Sequence, residues 1–179
     1  MGPRVWFALS AQLPEGIRRK HLTYFACFKP TQPGQRPAYL SLGQEHCKQI
    51  KQMARFRLSC HNLRVELGRR PLPHRLPWQE RTCTRCSAAH RASLACAVDD
   101  EHHMIFECER FEALRNEAAE FVPGTHRFVP GVRTTLTRAG GSVRRFMDSD
   151  PHTVLRFVSK CMNVLDEEAR NDIDLGAPT

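Results

Sequence analysis

Two short runs constrain this chain more than any other feature. They are "ERTCTRC" at residues 80–86 and "HMIFEC" at residues 103–108, with sixteen residues between Cys86 and His103. A Cys-x2-Cys turn aims two sulfurs at one point, and His-x4-Cys can supply two more donors from the other side. Four such donors suit a tetrahedral Zn²⁺. The expected ligands are Cys83, Cys86, His103 and Cys108, with His103 near the end of one turn and Cys108 near the start of the next helix. Cys96 and His102 are the rivals and rank below these four. Because binding energy at such a site acts as folding energy, closing the 83–108 loop is worth roughly 10 kcal/mol or more. Arg81 and Arg85 are expected to favour thiolates, and Met104, Ile105 and Phe106 to form an apolar wall behind the ligands.

The surrounding chain fits a reduced, soluble setting. No apolar run approaches the ~20 residues of a membrane span, and mean hydropathy is −0.48. "VWFALSA", residues 5–11, is short for a signal-peptide core and lacks a convincing cleavage site after it. An intracellular location is therefore expected. The eight cysteines then point to metal rather than disulfides where Cys and His cluster. Cys27, Cys47, Cys60 and Cys161 read as small buried hydrophobes, and His61 as a packing or hydrogen-bonding residue.

Charge is unevenly placed. The net charge is +8 and the pI near 9.4, which points to a polyanionic partner. Between Lys48 and Arg91, eleven basic side chains face two acidic ones. Between Cys96 and Glu120 the balance reverses, with eight acids against two arginines. A basic half and an acidic half thus flank the Cys/His cluster, and the plain alternative is that they neutralise each other within the fold.

Periodicity predicts a mainly α, small helical domain with an embedded Cys-Cys-His-Cys zinc module and a loop-rich N-terminal part. Residues 15–28 have helical spacing, and 29–37 read as a Pro/Gly-rich linker. A helix is expected over 43–58 with Cys47, Ile50, Ala54 and Leu58 as its apolar stripe. "PLPHRLPW", residues 71–78, must be extended or turn-like. Residues 109–121 form a further helix, with Phe111, Leu114, Ala118 and Phe121 on one face and Pro123-Gly124 ending it. Residues 122–141 read as loop. Asp150 caps a last helix begun by Pro151, which buries Val154, Leu155, Val158, Cys161, Met162 and Leu165. Strand signals are weak, allowing at most a short ribbon at the metal clip. The natural divisions are 1–37, 38–78, 79–122 and 123–179.

The order of these features resembles a known family. Arg55-Phe56-Arg57, His61-Asn62-Leu63, Gly68-Arg69, Cys83/Cys86, Asp99-Asp100-Glu101, His103/Cys108 and Leu114-Arg115 follow one another as in the region after the polymerase domain of non-LTR (LINE-type) retrotransposon reverse transcriptases. "RRFMDSDPHTVLRFVSKCMNVL" resembles that family's following Phe-Met segment and helix. The likeness covers about residues 38–166. It implies a zinc module that helps hold RNA template or target DNA, and a nuclear site. The chain has no Tyr/Phe-x-Asp-Asp motif and no evident nuclease core, so two-metal nucleotidyl transfer is not expected. Its Cys86-to-His103 spacer, with "AAHRASLACA" inside, is longer than the family pattern. It reads as a C-terminal remnant of such an element.

Three functions compete. The first is a non-catalytic nucleic-acid-binding zinc module, with Arg55, Arg57, Arg69, Arg70, Arg75 and Arg85 on phosphates and His74 and Trp78 stacking on unpaired bases. The second is a structural or protein-interaction domain in which zinc only closes the fold and the arginines dock on Asp99, Asp100 and Glu101 or on a partner. The third, a zinc hydrolase using Glu101 or Glu107 as base, is disfavoured because a catalytic zinc keeps one coordination position open.

Overall fold

The computed structural model describes residues 36–69, 75–94, 97–119 and 143–174. The expectations for residues 1–35, including the 15–28 helix and Cys27, and those for His74, Arg70, Cys96 and the 122–141 loop lie outside these residues. The described part is mainly helical, with no strand. Its helices are α1 (Cys47–Arg57), α2 (Arg64–Leu67), α3 (Ala88–Ser93), α4 (Glu101–Phe106), α5 (Glu112–Ala119) and α6 (Pro151–Asp174). Short 3₁₀ turns precede or join them, and residues 143–147 are helical. None of the described helices is long and apolar enough to cross a membrane.

The long helix α6 organises the body. Asp150 Oδ2 accepts from the Thr153 backbone N–H at 2.8 Å, which satisfies one of the orphan donors of the first turn. Val154, Leu155, Val158, Cys161, Met162 and Leu165 are buried, as their spacing predicts, and Phe157 joins them. This face packs against α1 and α5. One hydrophobic core runs from Tyr39 to Leu165 and takes in the ligand cysteines.

Helix α1 turns a different face inward from the stripe its sequence predicts. Met53 and Phe56 are fully buried, whereas Cys47 is exposed and Leu58 is 60% exposed. The larger apolar groups capture the interface with α6, and Leu58 falls beyond the helix end. There Ser59 adopts φ 52°. The Cys60 N–H donates to Arg55 O at 2.8 Å and the Ser59 N–H to Phe56 O at 3.0 Å. This is a Schellman stop with serine where glycine is usual. The Ser59 hydroxyl donates to the buried Glu101 carboxylate at 3.2 Å, which holds the left-handed turn in place. The chain then faces outward at Cys60, so that cysteine is exposed too, and of the described spare cysteines only Cys161 is buried.

His61 follows, fully enclosed, with Nε2 3.1 Å from Glu101 Oε1. It is the hydrogen-bonding residue its sequence context predicts. Gly68 ends α2 where the Arg81 side chain crosses, and a Cβ there would meet Arg81 Cγ, Cδ and Nε at 2.8 Å. Arg81 needs that passage because it donates to Val65 O at 2.9 Å and to Leu76 O at 2.7 Å and 2.9 Å. It therefore ties the 64–68 turn to the clip through backbone carbonyls.

Candidate metal centre

The clip begins with two backbone contacts. The Cys83 N–H donates to Ala97 O and the Asp99 N–H to Arg81 O, each at 2.9 Å. Thr82 and Val98 thus form an isolated antiparallel bridge, which is the reduced form of the expected ribbon. It sets the Cys-x2-Cys turn beside the start of α4. Asp100 caps that helix, its Oδ1 accepting from the His103 N–H at 2.9 Å, and this places His103 one turn in, facing the cysteines. Helix α4 ends at Phe106 with Glu107 as its C-cap, and Cys108 leads into the 3₁₀ turn Glu109–Phe111.

Cys83, Cys86, His103 and Cys108 converge, all buried, with donor atoms within 4.8 Å of one another. Cys83 Sγ and Cys86 Sγ each lie 3.7 Å from Cys108 Sγ, and Cys86 Sγ lies 3.4 Å from His103 Nε2. For a metal–sulfur bond of ~2.3 Å, the edge of a regular tetrahedron is about 3.8 Å. These three separations therefore stand close to coordination spacing. A disulfide is excluded at these separations, since it needs about 2.05 Å. The rival His102 turns away: its Nδ1 is 3.5 Å from Glu107 Oε1 and its ring packs on Phe106.

The surroundings hold the donors rigidly. Arg91 donates to Cys83 O at 3.1 Å and to Cys86 O, closing the turn between the two cysteines. Ser87 N–H and Oγ donate to Glu109 at 2.6 Å and 3.2 Å, so the residue after Cys86 grips the residue after Cys108. His90 Nε2 reaches Glu107 O at 2.8 Å. Glu107, which the sequence offers only as a candidate base, instead places its Oε2 3.1 Å from His103 Nδ1. A carboxylate on that nitrogen leaves Nε2 to face the cysteines. The i,i+4 spacing of His103 and Glu107 on one helix was the available signal. Replacing Glu107 with glutamine is expected to weaken metal affinity about ten- to hundredfold with little change in helix content; a chelator-competition titration measures it.

Electrostatics match the donor set. Hydrogen bonding with Cys108 pulls the Cys83 thiol down to about 2, against the opposing effect of burial. The same pairing pushes Cys108 up. Burial alone would lower His103, but its bonds to Cys83 and Glu107 outweigh that and raise it to about 10. Metal ligation needs deprotonated thiols and a neutral imidazole, so a bound cation would release the protons these groups hold. A divalent ion on three thiolates and one neutral imidazole carries one net negative charge. Arg85 and the half-buried Arg115 lie within electrostatic reach of these sulfurs.

The structure also places the predicted phosphate contacts. Arg55 Nη1 is 2.5 Å from Asp166. Arg57 is buried with its guanidinium 5.5 Å from the centre of the Tyr39 ring. Arg69 pairs with Glu66 at 2.5 Å. Arg85 pairs with the buried Asp99 and lies 3.8 Å from Glu168. Arg75, Lys48 and Lys51 are exposed. Trp78 is half-buried and packs against the core. Glu101 is committed to His61 and Ser59. Comparison with protein-family models, with curated proteins and with solved structures finds no match in any of the three.

Proposed function

We propose that this chain is a non-catalytic zinc module of the non-LTR retrotransposon type, whose closed metal site braces a basic surface for contact with RNA or DNA backbones. The observation that carries the reading is the buried convergence of Cys83, Cys86, His103 and Cys108, their ligand atoms within 4.8 Å of one another, within the motif order that resembles that family. Three thiolates and an imidazole favour Zn²⁺, which has no redox chemistry and accepts a tetrahedral N/S set. Four protein donors leave no open coordination position for a substrate or an activated water. Glu101 and Glu107, the residues that would serve as base, already hold histidines. The exposed cations Lys48, Lys51 and Arg75, with Arg70, are the phosphate contacts in this reading, and a nuclear location goes with it.

A second reading rests on one observation: Arg55, Arg69 and Arg85 hold carboxylates of this same chain. In that case zinc closes a structural or protein-interaction domain. Titration of the zinc-loaded protein with fluorescent single-stranded RNA and with duplex DNA at two salt concentrations separates the two. Four phosphate contacts predict a log–log salt slope of about −3 on single strands, and charge reversal of Lys48, Lys51 and Arg75 should flatten it. No binding at moderate salt selects the structural reading.

A further inference from the structure

The two arms of the metal clip meet a third partner far away in sequence. Arg85 sits between Cys83 and Cys86, and Arg110 lies two residues after Cys108. Both reach the Glu168 carboxylate on α6: Arg110 Nε donates to Oε1 at 2.9 Å and Arg85 Nη1 lies 3.8 Å from Oε2. Each oxygen therefore takes one arm. Arg85 is mostly buried and is also held by Asp99, so its position is tied to the knuckle. The neighbouring turn of α6 is fixed independently, because Asp166 receives Arg55, Gln52 and Asn62.

We propose that Glu168 is a positioning residue for the metal site, latching the last turns of α6 to the clip so that metal binding and helix docking strengthen each other. The inference rests on the metal-binding reading above. The two guanidinium groups repel unless a carboxylate lies between them. Their common grip on Glu168 exists only when the Cys83–Cys86 arm and the Cys108 arm stand side by side, which is also the condition for joint ligation. Coupling of this kind is reciprocal: whatever the metal contributes to docking α6, docking contributes to holding the metal.

The test measures Zn²⁺ affinity of the full chain by competition with a chelating dye, together with hydrogen exchange of residues 163–174. Glu168→Gln is expected to weaken Zn²⁺ binding about three- to tenfold, and Zn²⁺ removal from the wild type should speed exchange in 163–174. Arg110→Gln, altered at the more exposed end of the same bridge, should show the same loss and serves if Glu168→Gln fails to fold. Glu117→Gln is the control. It removes a carboxylate that bridges Arg156 and Lys160 of α6 without touching the clip, and should leave affinity unchanged. Wild-type protein that binds Zn²⁺ with the same affinity as both latch variants, or an equal loss in Glu117→Gln, overturns the latch alone. Wild-type protein that binds no Zn²⁺ overturns the metal reading and the latch with it.

Discussion

Replacing Cys108 with serine should drop bound zinc from one equivalent to almost none and unfold the clip from Thr82 to Phe111. Cys108 Sγ is the donor shared by two close contacts, 3.7 Å from both Cys83 and Cys86. Serine lacks the soft thiolate, and the remaining three donors lie on two separate arms. Apparent binding energies at structural zinc sites are about 10–16 kcal/mol near neutral pH, comparable to the total stability of an ordinary domain at about 5–15 kcal/mol. The loss therefore spreads well beyond the ligand. Phe111 and Ile105, buried in the core beside the site, should become accessible. Cys83→Ser should behave alike. Elemental analysis gives the stoichiometry, and hydrogen exchange over 82–111 gives the unfolding. One full equivalent of zinc in both variants would show that the ligand set is misassigned.

Phe56→Ala should act by another route. Phe56 is fully buried on the α1 face that packs against α6, with its ring centre 5.7 Å from that of His61. Truncating a buried phenylalanine costs about 3–5 kcal/mol, the sum of lost transfer energy and the cavity left behind. Zinc should still bind in stoichiometric amount under native conditions, because no ligand is touched. The variant should instead unfold at a markedly lower denaturant concentration. A loss below about 1 kcal/mol in urea titration would mean that α1 does not carry the core contact described above.

The Cys/His cluster was legible because its chemistry is written in residue type and short spacing. A Cys-x2-Cys turn and a His-x4-Cys pair need only local geometry to aim their donors. The last helix was legible for a similar reason: Asp150 and Pro151 mark its start, and its apolar positions repeat without competition. Helix α1 was harder. Its sequence offers two overlapping stripes, Cys47–Ile50–Ala54–Leu58 and Ile50–Met53–Phe56, and tertiary packing against α6 decides between them. Side-chain pairing across long separations was not legible at all. Nothing near Arg55 or Arg85 announces Asp166 or Glu168, more than eighty residues away, and Arg81 could be placed only once Gly68 was seen to make room for it. Glu107 lies between these extremes, since its spacing from His103 is local but its role appears only when the ring orientation is known.

The pairing of α1 with α6 has a consequence for synthesis. These helices are separated by about a hundred residues, and the clip lies nested between them. During translation Met53 and Phe56 emerge long before the surface that covers them exists. The clip can close first, because its donors span only residues 83–108, and it then shortens the distance the chain must search to bring its outer helices together. Metal supplied while the chain is still growing would thus limit how long the early helix remains exposed to aggregation, and metal-starved expression should yield insoluble rather than merely unloaded protein.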